Sequence, residues 1–272
     1  MAVPSKALVF AAGLGTRLRP ITDSMPKAMV PLCGKPLIYH VIRKLSSCGI
    51  SSFVVNVHHF PDQIEKYLSS EEEFRGLDIR ISREEGYPRE TGGGILHARS
   101  LLSGGDFLVH NVDIVSNLDM PLFCSRSMEG DLSCVLVSQR STQRYLLFDG
   151  EGGHLVGWTN IATGAVKSPY RDIDPPSCTM RAFAGIHHIS GDVFSVMDEI
   201  SSHPEDFPLY NERGEVVEES DSAFSDVFSI IDFYLRACRQ WKVRAFTPDG
   251  LRILDIGKKE TLAQAEDFLE SL

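Results

Sequence analysis

A chain of 272 residues with a formal net charge of −10 has room for one large α/β domain or two small ones, and its charge argues against nucleic acid or an anionic membrane as the main partner. With 43% hydrophobic and 24% charged residues, its composition is that of a globular protein with a sizeable core. Six cysteines (Cys33, Cys48, Cys124, Cys134, Cys178 and Cys238) show neither a Cys-x-x-Cys pair nor metal spacing, which predicts reduced thiols in a cytoplasmic protein.

Residues 7–12 form a short apolar run that predicts a buried parallel strand. Gly13 breaks this run too early for a signal segment or a membrane span. Gly13 and Gly15 let the backbone turn close to a ligand, and their amides with the Thr16 hydroxyl can line a concave anion site. Arg17 and Arg19 follow, and Lys27 closes the segment, so three cations surround a loop suited to a triphosphate. The alternative is an ordinary strand turn with chance arginines, since a lone glycine pair is a weak signal. Two other glycine loops are excluded. Leu18 stands where a dinucleotide fingerprint needs glycine, and no Gly-Lys-Ser/Thr follows Gly13.

Helical spacing over 36–45 predicts a first helix, with Gly49 beyond it as a terminator. A strand over 53–57, a helix over 61–68 and a strand over 77–81 come next. Glu90-Thr91-Gly92-Gly93-Gly94 reads as a loop before a helix over 95–102, and 107–109 as a strand ending in Asn111-Val112-Asp113. This alternation predicts a doubly wound, mostly parallel sheet whose ligands lie beyond the strands' carboxyl ends. The second half is less regular. Strands are expected over 132–137, 180–189, 243–246 and 251–256, with a hairpin of 145–148 and 154–158 turning through 149–153. Residues 160–180, with three prolines, read as loop. Helices are expected over 191–200, 223–238 and 258–269, with a polar acidic loop between the first two. There is neither repeat nor linker, so one domain is expected over 1–272.

Asp113 ends a buried strand at the ligand edge, and Asp255 in Leu254-Asp255-Ile256-Gly257 repeats that placement. Each can be a solvated or capping residue; together they can hold Mg²⁺, which takes one or two carboxylates. The three glycines after Glu90 are either a flexible loop or a surface on which a flat base lies, with Glu90 reading its edge. Lys27 is either a solvated loop lysine or a bridge between phosphates. The pairs His58-His59 and His187-His188 lack metal-site spacing and read as packing or surface residues.

Together these residues resemble the sugar-1-phosphate nucleotidyltransferases. The likeness rests on the opening Ala12-Gly13-Leu14-Gly15-Thr16-Arg17-Leu18-Arg19-Pro20 and on Pro26-Lys27-Ala28. Glu90 to Gly94, Asn111-x-Asp113, Ser225-Asp226-Val227 and Leu254-Asp255-Ile256-Gly257 follow in the family's order. The short, single-domain members are most similar, among them N-acetylmuramate-1-phosphate uridylyltransferases and mannose- or heptose-1-phosphate guanylyltransferases. The resemblance implies a Rossmann-like fold with a nucleotide half (about 1–115) and a sugar half (about 116–272). It implies a nucleoside triphosphate, UTP before GTP, and a sugar 1-phosphate as partners, with Mg²⁺ as cofactor. Arg17 and Lys27 would be catalytic, and Asp113 and Asp255 metal ligands. Ala12, Gly13, Gly15, Thr16, Glu90 and Gly92 would bind the nucleotide, and Asn111, Gly157 and Gly185 the sugar. The chain departs from the family pattern at Val112, Ala28, Ile253 and Lys258, and its Glu-Lys-Pro sugar segment is replaced near Trp158-Thr159-Asn160. These departures leave open a catalytically weak, regulatory relative. The sequence has no left-handed β-helix segment at its C-terminal end, so an added acetyltransferase activity is not expected.

Overall fold

The computed structural model describes residues 3–126, 130–150, 153–217 and 224–271. In chain order the first half comprises β1 (Lys6–Phe10), β2 (Pro31–Leu32), β3 (Lys35–Pro36), α1 (Leu37–Ser47), β4 (Ser52–Val57), α2 (Pro61–Ser70), β5 (Asp78–Arg83), α3 (Glu90–His97), α4 (Arg99–Leu102), β6 (Phe107–Asn111) and β7 (Ile114–Ser116). The second half adds α5 (Met120–Arg126), β8 (Asp131–Ser138), β9 (Arg144–Phe148), β10 (Leu155–Asn160), β11 (Ala165–Lys167) and β12 (Thr179–Ile189). It ends with α6 (Val193–Ser202), α7 (Ile230–Ala237), β13 (Lys242–Phe246), β14 (Ile253–Asp255) and α8 (Lys259–Glu270).

β1 lies in the parallel part of the sheet, between β4 and β6, and β5 extends that part beyond β4. The long β12 then runs antiparallel to β6, β8 and β9, while β13 joins β8 in parallel. Side chains alternate across this sheet as strand geometry requires. Ala7, Val9, Phe53, Val55 and Leu108 face the layer of α1, α2, α5 and α8; Leu8, Val54, Phe107 and Val109 face that of α3, α4, α6 and α7. The sheet is therefore covered on both faces, and its parallel strands all end at one edge. α1 shows the cause locally: Leu37, Ile38, Val41, Ile42 and Leu45 recur every three or four residues and are all buried.

The structure corrects several boundaries. The predicted loop at Glu90 is the first turn of α3, where the Gly92 and Gly93 amides find an acceptor in the Phe228 carbonyl. The helix expected from 223 begins at Ile230, where the Ser229 hydroxyl accepts from the Ile231 amide as N-cap. Its predicted start at Ala223, residues 218–222 of the acidic loop and the hairpin residues Glu151 and Gly152 lie outside the described residues. β7, β11 and α5 are too short for periodicity to reveal. No helix among the described residues is long and apolar enough to cross a membrane, and all six cysteines are free thiols.

His187 and His188 are core residues. The His187 Nδ1–H points at the Tyr234 hydroxyl (2.6 Å), which donates to Ser133 Oγ (2.9 Å), which in turn donates to the His188 carbonyl (2.8 Å). The Nδ1–H donation does not depend on the ring's charge; burial is what disfavours the cation and pushes the His187 pKa down to about 3, aided by His188. A histidine depressed in the fold stabilises it fully above its unfolded pKa of about 6.5 and loses that contribution as pH falls toward the folded value. Urea midpoints should therefore decline from pH 6.5 to 4, this one ring contributing up to roughly 1 kcal/mol per pH unit. The His187→Gln variant, less stable at pH 7.5, should decline less steeply; equal slopes would contradict the assignment.

Candidate active site

The chain leaves β1 at Phe10 and enters a loop held from below. The Ala11 amide donates to the Asn56 carbonyl (2.9 Å), and the Thr22 hydroxyl to the Gly15 carbonyl (2.8 Å). Gly15 has φ +62°, and a Cβ there would stand 2.8 Å from Thr22 Cγ2 and 3.1 Å from Lys27 Cβ, so only glycine fits. Gly13 instead opens onto a cavity of about 450 Å³ that Ala12, Gly15, Thr16, Arg17 and Lys27 also line. Arg19 does not join them. It is exposed and paired with Asp23 at 3.2 Å, so two cations of the predicted three reach the site. Lys27 is 8% exposed, which rules out a solvated loop lysine.

The two aspartates meet through strand register. β14 pairs with β7 so that Asp255 lies opposite Ile114, and the Ile256 amide donates to the Asp113 carbonyl (2.8 Å). Asp255 does not cap α8; Lys258 is the N-cap, with the Thr261 hydroxyl accepting from its amide. Asp255 Oδ1 is buried without a hydrogen-bond partner. Burial, reinforced by the neighbouring Asp113, raises its carboxyl pKa above the ordinary range, against the pull of Lys27, Arg17 and Arg140. Asp113 Oδ2 accepts from Lys27 Nζ. A Cβ on Gly257 would stand 2.6 Å from Arg17 Nη2 and 2.9 Å from Asp255 Oδ1, so the guanidinium lies across bare backbone beside the carboxylates. An orphaned carboxylate oxygen beside a second carboxylate is a donor set that suits a hard divalent cation.

The glycines after Glu90 serve packing. A Cβ on Gly92 would stand 2.3 Å from the Phe228 ring, and the Gly92 and Gly93 amides donate to the Phe228 carbonyl (2.9 and 3.1 Å). Gly92 is thus covered by the 226–228 segment and does not line the cavity, contrary to its predicted contact with a base. Glu90 and Thr91 do line it, and Glu90 holds φ +59°, a conformation uncommon for a residue with a Cβ. Asn56 and Glu84 also line the cavity and are absent from the sequence reading. Asn56 is fully buried on β4, and its Nδ2 donates to Glu84 Oε1 (2.9 Å); Glu84 Oε2 accepts from the Arg89 amide (2.8 Å). The only signal for Asn56 was a polar residue inside the apolar β4, and Glu84, which follows β5, carried none.

Asn111 lines the cavity and packs on Gly185, where φ is +72° and a Cβ would stand 2.6 Å from Asn111 Nδ2. A second cavity of about 480 Å³ includes Phe183, two residues before Gly185 on β12, with Tyr145, Trp158, Arg140, Arg144 and Lys167. Gly157 lines neither cavity; a Cβ on it would stand 3.2 Å from Leu147 Cδ1 and 3.2 Å from the Lys167 carbonyl. It is a packing residue beside a β10 irregularity, next to the cavity-lining Trp158.

A glycine loop after the first strand of a doubly wound sheet, two cations and paired strand-end carboxylates make an α/β site whose donor set suits an anionic ligand and a divalent cation. The chain belongs to the nucleotidyl transferase family, which matches residues 6–146, just over half its length. It is 46% identical over 114 residues to an N-acetylmuramate alpha-1-phosphate uridylyltransferase of Caulobacter vibrioides (41% of this chain, 47% of the relative). It is 32% identical over 156 residues to mannose-1-phosphate guanyltransferase beta-B of Xenopus laevis (55% of this chain, 43% of the relative). The chain thus matches a little under half the length of these curated relatives. The crystal structure of a UDP-glucose pyrophosphorylase complexed with UDP-glucose shares the fold, with a TM-score of 0.73 at 17% identity, covering 100% of this chain and 99% of the other.

Proposed function

We propose that this protein joins a nucleoside triphosphate, UTP before GTP, to a sugar 1-phosphate and releases pyrophosphate. The observation that carries this reading is the β7–β14 register, which sets Asp113 and Asp255 together beside the loop, Arg17 and Lys27. A sugar-phosphate oxygen attacks the α-phosphorus in line and pyrophosphate leaves, so the protein's task is positioning and charge stabilisation. The loop at Gly13 and Gly15 would seat the triphosphate, with the Arg17 fork on its terminal phosphates. Lys27 would neutralise charge where the two substrates meet. Asp113 and Asp255 would hold Mg²⁺, which when bound supplies charge neutralisation between the phosphates.

The sugar would lie toward the second cavity, on the Asn111 side. Its aromatic residues can pack against a pyranose ring, and Arg140 and Arg144 suit a sugar with a second acidic group, such as the lactyl carboxylate of N-acetylmuramate, while Lys167 on the same lining is paired with Asp232 at 3.1 Å. That lining, with the 46% identity to a relative named as a uridylyltransferase, favours the muramate-type substrate pair over mannose 1-phosphate with GTP. Residues 1–115 and 116–272 would then be nucleotide and sugar halves of one domain, and the free thiols suit work in the cytoplasm.

Pyrophosphate release should be measured with all four triphosphates, each against N-acetylmuramate, glucose and mannose 1-phosphates in Mg²⁺. The highest turnover is expected with UTP and the acidic sugar. A preference for GTP with mannose 1-phosphate would place the protein on the guanylyltransferase branch. No release with any pair, together with tight binding of a nucleotide-sugar, would favour a regulatory relative.

A further inference from the structure

Asn56 and Glu84 form a buried polar pair in the first cavity that the phosphate chemistry leaves unused. Asn56 is 0% exposed and Glu84 3% exposed, yet both line the cavity. Glu84 fixes the orientation of the Asn56 amide. An ionised carboxylate only accepts hydrogen bonds, so the amide must turn its Nδ2 toward Glu84 Oε1, at 2.9 Å. The Arg89 amide, 2.8 Å from Oε2, holds the other carboxylate oxygen in place. Asn56 Oδ1 is then buried without a partner. A buried acceptor with nothing to accept is uncommon and calls for an explanation.

The surroundings preserve this pair. A Cβ on Gly94 would stand 2.8 Å from Phe10 Cε1, 3.0 Å from Glu84 Oε1 and 3.5 Å from Asn56 Nδ2. The third glycine of the run thus leaves room for the aromatic edge and both polar groups. Phe10 lines the same cavity, giving it an apolar wall on which a flat ring can lie.

We propose that Asn56, held by Glu84, is the base-reading residue of this site, selecting bases that present a ring N–H on their Watson–Crick edge. Uracil and thymine carry one at N3 and guanine at N1. Cytosine at N3 and adenine at N1 present acceptors, which would face Asn56 Oδ1 oxygen to nitrogen with no proton between. This inference rests on the nucleotide-binding reading above and narrows it to a base class. A site built to pair a ring N–H rejects an analogue lacking it strongly, because its own polar group is then left unpaired.

The test is equilibrium binding by calorimetry in Mg²⁺, without sugar phosphate, so that it does not depend on turnover. The ligands are UTP, CTP and N3-methyl-UTP, and the proteins wild type and Asn56→Leu. Wild type is expected to bind UTP on the order of 10²-fold more tightly than either of the other two. CTP adds no bulk, so its weakness reports the hydrogen bond rather than steric exclusion. Asn56→Leu, which keeps the side-chain volume, is expected to bind all three weakly and within a few-fold of one another. If that variant does not fold, Asn56→Ser replaces it, and the wild-type ratios already decide. Equal wild-type affinity for UTP and CTP, or a UTP preference undiminished in the variant, would overturn the assignment. Nucleotide binding with discrimination but no pyrophosphate release would sink the proposed reaction and leave the base reader standing. Failure of every triphosphate to bind would sink both.

Discussion

Asp255→Asn should abolish most turnover while making the ligand-free protein more stable. Asp255 lies beside the cavity-lining Asp113, and its buried Oδ1 has no hydrogen-bond partner among the described residues. Where a carboxyl pKa is raised by folding, the folded state binds the proton more tightly than the unfolded chain. Stability then falls as pH rises from the unfolded pKa of about 4 through the folded one, and the full penalty persists at pH 7–8. The asparagine carries no charge, so it relieves both the desolvation and the repulsion from Asp113. Turnover should nevertheless fall on the order of 10²–10³-fold, since one preorganised charge-stabilising group is lost where charge concentrates. Melting curves separate the two effects. Wild type should gain stability on adding Mg²⁺ with UTP, because ligands that bind only the fold stabilise it by mass action. The variant should start higher and gain less. A variant that melts lower than wild type without ligand, or that keeps its turnover, would show that Asp255 is a structural residue.

How much of this was legible in the sequence depended on the length of the segment that carries it. The parallel strands β1, β4 and β6 could be read because each is a buried run between turn signals, and the glycine loop because Gly13, Gly15 and Thr16 follow such a run directly. The strand-end position of Asp113 followed from the same logic. Its partnership with Asp255 was expected from their matching placements, but the register that makes it was not legible. It is made by three-residue strands 137 positions apart, and β7 is too short to carry a periodic signal. Glycine misled in one place. The run at 92–94 was read as a surface for a base, but Gly92 and Gly93 admit Phe228 and Asp226 from a distant segment, and Gly94 leaves space for Glu84. A glycine records that something comes close, and the sequence does not say whether it is ligand or protein. Arg19 shows the same limit for charge, since a cation beside the loop in sequence pairs outward with Asp23.

Lys27→Met should lower kcat by roughly 10²–10³ while leaving UTP affinity within a few-fold, and its effect on stability should depend on Mg²⁺. In the ligand-free protein Lys27 Nζ donates to Asp113 Oδ2, and the Asp113 side chain is 20% exposed. Methionine fills the space of the lysine stem but leaves that carboxylate without its cation. Breaking a fully buried pair costs about 3–5 kcal/mol; partial exposure of Asp113 should reduce this to about 1–3 kcal/mol. A divalent cation can take over the same oxygens, so Mg²⁺ should restore much of the lost stability and should bind the variant more tightly than wild type, where the ammonium competes for Asp113. It should not restore turnover. On the proposed reaction the loop amides and Arg17 would still seat the triphosphate, whereas the positive charge between the substrates, which would matter most in the pentavalent transition state, would be gone. The double variant Lys27→Met/Asp113→Asn closes the argument. Without a stranded carboxylate it should be more stable than Lys27→Met alone in the absence of metal, and equally inactive. A Lys27→Met protein with wild-type kcat would remove this residue from the chemistry, and one whose melting temperature ignores Mg²⁺ would separate Asp113 from the metal.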